Sequence, residues 1–268
     1  MIRVRGLTKI FNPGSVNENL ALDDVTLDIK KGDFITVIGS NGAGKSTLLN
    51  LIAGVYPPER GRIVIDGVDV TTLREYERAK FIGRVFQDPM MGTSAAMTIE
   101  ENFSIAMARG RRRTLRFGVN HRARDLFKSR LALLGLGLEN RLKDKVGLLS
   151  GGQRQSLTLL MATLNSPKVL LLDEHTAALD PKTAKLVMDI TRKIIEKYEL
   201  TTIMITHNMQ QALANGSRLV MMHLGKIILD ARGPERDRLT VEDLLEQFGK
   251  LRGSLSDKTL LSIKSEAP

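Results

Sequence analysis

The segment Gly39-Ser-Asn-Gly-Ala-Gly-Lys-Ser-Thr47 carries the spacing Gly-x-x-x-x-Gly-Lys-Ser, between an apolar strand-like stretch, Phe34 to Ile38, and a helix-patterned one, Lys45 to Ala53. Its glycines let backbone N–H groups turn toward an anion without side-chain obstruction, and the helix N-terminus adds partial positive charge. Gly39, Ser40, Asn41, Gly42, Ala43, Gly44 and Thr47 are therefore expected to cradle the phosphates of a nucleoside triphosphate such as ATP. Lys45 is expected to reach the β and γ phosphates, and the Ser46 hydroxyl to ligate Mg²⁺.

A second group lies at Asp173-Glu174, where the apolar run Val169-Leu-Leu-Leu172 ends in two carboxylates. Parallel strands open onto a ligand crevice at such ends. Asp173 suits holding Mg²⁺ through water, and Glu174 suits a general base that polarises an attacking water. Leu149-Ser-Gly-Gly-Gln153 is a third group, placed just before a helix beginning near Gln153 or Arg154. Ser150, Gly151, Gly152 and Gln153 read either as a second N–H-presenting anion site or as a plain serine-glycine helix cap.

These groups need elements to hold them. Strand patterns cover Ile2 to Phe11, Val25 to Ile29 and Phe34 to Ile38, with breaks at Asn12-Pro-Gly-Ser15 and Lys31-Gly32. Gly61 to Val70 reads as a hairpin turned at Asp66-Gly67, and Arg218 to Asp230 as one turned at Leu224-Gly225. From about Met90 to Leu149 the periodicity is helical, including His121 to Leu134, whose Leu126, Phe127, Leu131 and Leu134 form an apolar stripe read as core. Helix Gln153 to Asn165, strand Val169 to Asp173, helix Pro181 to Tyr198, strand Thr202 to Thr206 and a helix from Thr240 to Phe248 follow. Continuous apolar strands imply burial on both faces, hence a largely parallel sheet covered by helices.

At 268 residues and 42% hydrophobic, the chain can bury a full core. It shows no apolar run near the roughly 20 residues that span a bilayer and no signal peptide, so a cytoplasmic location is expected. The absence of cysteine excludes disulfides and thiolate metal sites, and four scattered histidines argue against zinc. The net charge of +10 is local: Arg109, Arg111, Arg112, Arg113, Arg116, Arg122, Arg124, Lys128 and Arg130 crowd one stretch. Without interleaved aromatics to stack bases, that stretch reads as a solvated face or a surface near anionic lipid headgroups before it reads as a nucleic-acid site.

The phosphate loop, Gln87, Leu149-Ser-Gly-Gly-Gln153, Val169-Leu-Leu-Leu-Asp-Glu174, Ala178-Leu-Asp180 and His207 resemble, in order and spacing, the motif set of the ABC-transporter ATPases over about residues 1 to 232. The resemblance implies an α/β fold: a P-loop NTPase core with a mostly parallel sheet, an N-terminal antiparallel β subdomain and an inserted α-helical subdomain. It sets the ATPase domain at 1–248, with the insert at about 90–150 and a short tail at 249–268. It further implies a head-to-tail homodimer, in which Ser150 to Gln153 of one chain close over the γ-phosphate held by Lys45 of the other. By the same resemblance Gln87 senses metal and nucleophile, His207 contacts the γ-phosphate, Asp180 shapes the dimer seam, and Phe11 stacks on adenine. His175 departs from the small residue or proline usual after the glutamate. Met90, Met91 and Met97 lie where family members meet membrane subunits, with core packing an equal reading.

Gly151 to Pro181 resembles importers that work with a solute-binding protein and carry amino acids or similar small solutes. The expected protein hydrolyses ATP to drive import through separate membrane permease subunits, held by them at the cytoplasmic face of the membrane. The alternatives are an exporter or lipid-extrusion ATPase and a soluble ABC ATPase acting on DNA or the ribosome. Soluble members carry tandem cassettes or a long coiled coil, and this chain has neither, so no nucleic-acid partner is expected.

Overall fold

The computed structural model describes residues 1–110 and 118–252. In chain order the elements are β1 (Ile2–Phe11), β2 (Asn19–Ile29), β3 (Phe34–Gly39), α1 (Lys45–Ala53), β4 (Arg60–Ile65), β5 (Val68–Asp69), α2 (Glu75–Arg78), β6 (Ile82–Val85), α3 (Ile99–Ala108), α4 (His121–Leu131), α5 (Gly151–Thr163), β7 (Val169–Asp173), α6 (Pro181–Tyr198), β8 (Thr201–Ile205), α7 (Met209–Ala214), β9 (Arg218–His223), β10 (Lys226–Arg232), α8 (Gly233–Arg238) and α9 (Val241–Arg252). The chain divides into two compact units: Met1–Thr72 with the chain from Ile203 onward, and Leu73–Thr202.

The first unit holds an antiparallel sheet in the order β2-β1-β4-β5. Along β1, Ile2 and Val4 point inward while Arg3 and Arg5 face water, the period-two signature of a sheet covered on one side. Strand β2 begins at Asn19, six residues before its apolar run suggested. Register shifts against β1 and a positive φ of 53° at Asp24 interrupt the alternation, so its first half does not read as a strand. The β4–β5 hairpin turns where expected, with Asp66 and Gly67 at φ 51° and 83°, the left-handed pair of a tight turn.

The same unit carries the neighbours β10-β9-β3-β8. Strand β3 pairs with β9 in parallel, and β10 closes the edge antiparallel to β9. Of β3 only Phe34 is not buried, as two-sided covering requires. Ile38, Met209, Leu219, Met221, Leu244 and Phe248 share one buried cluster that packs α7 and α9 onto these strands. Helix α9 runs to Arg252, and the tail from 253 to 268 lies outside the described residues.

The second unit pairs β6 with β7 in parallel and packs α5 against β6 and α6. Helix α5 begins at Gly151, two residues earlier than the sequence suggested, because Ser150 caps it. Helix α4 stops at Leu131; residues 132–134 tighten into a 3-10 turn closed by Gly135 at φ 64°. Phe127, Leu131 and Leu134 of the expected stripe are buried, and Leu126 is exposed. The fold is α/β, with parallel strands flanked by helices, an N-terminal antiparallel sheet and a helical stretch between β6 and β7.

Among the described residues of the basic stretch, Arg109, Arg124 and Arg130 are engaged within the chain. Arg109 donates to the Ala162 carbonyl at 2.8 Å, Arg124 grips both oxygens of Glu100 at 2.7 and 3.1 Å, and Arg130 bonds the Tyr198 hydroxyl and stacks over its ring. Arg122 and Lys128 remain exposed, and Arg111, Arg112, Arg113 and Arg116 lie outside the described residues.

Candidate functional site

In the first unit, β3 delivers Gly39 into the phosphate loop and α1 receives the chain at Lys45. The loop is threaded too tightly for side chains at its ends. A Cβ on Gly39 would stand 2.4 Å from the Met222 carbonyl oxygen, and one on Gly44, at φ 96°, 2.6 Å from that of Ala21. Between them Asn41, Gly42 and the following Ser46 are exposed, Ala43 is buried and Thr47 is half-buried. Lys45 is 7% exposed and folds back, its Nζ donating to the carbonyls of Gly39 at 2.6 Å and Ser40 at 3.0 Å. A buried ammonium against two backbone carbonyls, at the N-terminus of a helix with no acidic residue in its first turn, is chemically suited to phosphate oxygens.

His207 follows β8 on a turn fastened to the strand that feeds this loop. The Thr206 N–H donates to the Val37 carbonyl at 3.2 Å, and the Thr206 hydroxyl accepts from the Asn208 N–H at 3.1 Å. Phe11, half-buried at the end of β1, meets the Tyr56 ring edge-on with centroids 5.3 Å apart, and Lys9 lies 5.3 Å over its centroid. Lys9 is itself pinned by Glu59 at 2.7 Å and the Pro57 carbonyl at 3.0 Å. Burial pushes the Glu59 carboxyl upward, but the hydrogen bonds from Lys9 and the Ile10 N–H outweigh it and hold it below the usual range. Tyr56, Lys9 and Glu59 had no signal of their own in the sequence; Lys9 shares β1 with Phe11, and pairing of β1 with β4 brings Tyr56 and Glu59 to them.

In the second unit, Asp173 ends β7 and accepts from Arg84 of the neighbouring β6 at 3.1 Å, both side chains being less than a fifth exposed. Glu174 follows at φ 45°, a left-handed conformation costly for a residue with a Cβ, and its carbonyl accepts from the Ala177 N–H at 2.9 Å. His175 is buried. The Thr191 hydroxyl donates to the Val187 carbonyl at 2.8 Å, so at 3.1 Å it accepts from His175 Nε2, fixing a neutral ring protonated on that nitrogen. Burial lowers its pKa to about 4.

Ser150 to Gln153 form the serine-glycine helix cap that one of the two sequence readings expected. Ser150 Oγ accepts from the Gln153 N–H at 3.3 Å while Gln153 Oε1 accepts from the Ser150 N–H at 3.1 Å, a capping box. The first-turn N–H groups of Gly151 and Gly152 have no helical carbonyl to meet, so the capped end still presents donors to an anion. Gly152 has a further reason: a Cβ there would sit 2.2 Å from Thr183 Cγ2 on α6. Asp180 caps α6 by accepting from the Thr183 N–H at 3.1 Å, and the Thr183 hydrogen bonds hold its carboxyl below the usual range. Gln87 is exposed on the bend after β6, beside a 3-10 turn at Pro89–Gly92 that Asp88 caps. Among the described residues no three His, Cys, Asp or Glu gather as a metal cluster. A serine hydroxyl and one strand-end carboxylate suit Mg²⁺, which takes few protein ligands beside substrate phosphates.

A phosphate loop after a buried strand, a strand-end Asp-Glu pair and a second glycine-rich helix start define an ATP-binding cassette. The chain belongs to the ABC transporter family, whose sequence pattern matches residues 22–177. It is the ATP-binding subunit of an ABC transporter, an enzyme of a family that couples ATP hydrolysis to transport. It is 46% identical over 248 residues, 92% of this chain and 98% of the relative, to a tyrosine transport ATP-binding protein of Clostridioides difficile. It is 38% identical over 232 residues, 85% of this chain and 65% of the relative, to a methionine import ATP-binding protein of Oceanobacillus iheyensis. Among solved structures, a dimeric post-hydrolysis ATP-binding cassette bound to ADP and Pi is similar at TM-score 0.74 and 29% identity, covering 87% of this chain and 98% of that one. A cassette from Clostridium perfringens, part of an ABC transporter complex, matches at TM-score 0.76 and 25% identity, covering 98% of both chains.

Proposed function

We propose that two copies of this chain sandwich two ATP molecules and use their closure and hydrolysis to drive uptake of an amino acid, tyrosine or a close analogue. The uptake runs through separate permease subunits at the cytoplasmic face of the membrane, fed by a solute-binding protein. The observation that supports the dimer is that one chain holds two glycine-rich helix starts, at Gly44 and at Ser150, each suited to an anion. A single triphosphate surrounded by the first leaves the second for a partner's γ-phosphate. The likeness to a dimeric cassette with ADP and Pi supports this, and the tyrosine transport relative supports the solute.

In this reading Gly39 to Thr47 bind the phosphates, Lys45 exchanging its two carbonyl partners for β and γ oxygens. Phe11 stacks on adenine, Glu174 takes the proton of the attacking water, and His207 orients the γ-phosphate. Ser150 to Gln153 close from the partner chain, with Asp180 at the seam. Mg²⁺, held by Ser46, Gln87 and, through water, Asp173, would neutralise charge on the phosphates. The cassette is assigned to 1–248 with its helical insert at about 90–150. Glu174→Gln is expected to bind ATP, lose about 10²- to 10⁴-fold in turnover and double in mass with ATP by light scattering. Turnover at the wild-type rate, or a mass unmoved by ATP, overturns the reading. With its permease in vesicles, uptake of labelled methionine instead of tyrosine would reassign the solute.

A further inference from the structure

The turn that carries Glu174 is pinned to α6 at two places, about three helical turns apart along that helix. At the near end Asp180 caps α6 through the Thr183 N–H at 3.1 Å. At the far end the ring of buried His175 donates from Nε2 to the hydroxyl of Thr191 at 3.1 Å. Thr191 is fully buried, and its hydroxyl is fixed in turn by donating to the Val187 carbonyl at 2.8 Å. Between the pins the chain bends tightly, the Ala177 N–H donating to the Glu174 carbonyl at 2.9 Å and the Leu179 N–H to the Thr176 carbonyl at 3.2 Å. Glu174 heads this bend at φ 45°, a conformation that a residue with a Cβ keeps only where its surroundings enforce it. The family usually places a small residue or proline next. Proline fixes its own φ through its ring, whereas His175 is held by a hydrogen bond to a helix, so here the constraint comes from outside the turn.

We infer that His175 and Thr191 are positioning residues for hydrolysis: their hydrogen bond anchors the turn to α6 and so holds the Glu174 carboxylate where it meets the attacking water. This rests on the reading of Glu174 as general base above. Both side chains are buried, and they act through the backbone bonded to Glu174. Removing the Thr191 hydroxyl leaves a buried Nε2–H unpaired, a cost that the turn relieves only by moving.

Steady-state turnover of the purified full chain tests this with two pairs of variants. Thr191→Val keeps the shape and removes the hydroxyl, and is expected to lower kcat about tenfold with KM for ATP within about twofold of wild type. Thr191→Ser, which restores the hydroxyl, should return kcat to within about twofold of wild type. His175→Leu and His175→Gln, without and with a donor toward Thr191, should divide in the same way. In single turnover, Thr191→Val should cost nothing further beside Glu174→Gln, because it acts through that carboxylate. The inference falls if the variants lacking the bond retain kcat within about twofold, if Thr191→Ser and His175→Gln lose as much as Thr191→Val and His175→Leu, or if KM rises as kcat falls. It falls equally if the losses of Thr191→Val and Glu174→Gln multiply, or if calorimetry shows both Thr191→Val and His175→Leu unfolded, which would make the bond structural only. Glu174→Gln, assayed alone, reports on the general-base reading: a wild-type rate there removes that reading whatever Thr191→Val does.

Discussion

In the proposed reading Lys45 serves nucleotide binding and Glu174 the chemistry. The Lys45 ammonium is buried against the carbonyls of Gly39 and Ser40 at the head of the loop. Lys45→Ala is expected to weaken ATP binding at least tenfold by titration calorimetry, and unchanged affinity would count against the cradle. Glu174 differs in kind, since it sits at φ 45° at the end of a buried strand. A left-handed glutamate is tolerated where neighbouring structure over-determines it. Asp173, one residue before it, is steadied by Arg84, so the two carboxylates are set apart by their surroundings and not by residue type.

At the scale of elements, α5 and α6 meet through a glycine. With 2.2 Å between a Cβ at 152 and Thr183 Cγ2, Gly152→Ala must push α6 or its first turn away. The cost is expected to be about 1–3 kcal/mol by urea denaturation. Adding Thr183→Ser, which deletes that methyl, should recover most of it; if the double variant is no more stable than Gly152→Ala, the close approach is not the cause. The contact also explains why the glycines after Ser150 read ambiguously in sequence. One glycine can serve an anion site and a helix packing at once, and only the position of α6 shows the second use.

For the whole molecule, buried His175 makes stability depend on pH. The folded chain holds the ring neutral with a pKa of about 4, against about 6.5 when unfolded. Between these values protons bind the unfolded chain first, so stability is full above about pH 6.5 and falls as pH drops toward 4. The loss at pH 5 is expected to be about 2 kcal/mol relative to pH 7, read from urea midpoints. His175→Gln, which keeps a donor toward Thr191 but does not titrate, should flatten the profile; an unchanged slope would assign it elsewhere.

The sequence by itself determined the phosphate loop, the Asp173-Glu174 strand end, both hairpin turns and most helix spans. Each depends on short-range requirements: backbone freedom at glycine, a cap beside a helix, a continuous apolar run. It also placed the chain in its family, because several such local requirements recur in one order. The tertiary structure alone decided the partners. Arg84 meets Asp173 across 89 residues, Gln155 reaches Phe86 across 69, and Arg154 reaches Met90 across 64. It also moved the start of β2, where bulges erase alternation, and turned Arg109, Arg124 and Arg130 from surface charge into internal ties. Such contacts form when distant elements pack, and packing depends on shape and exclusion of water, which no spacing along the chain encodes.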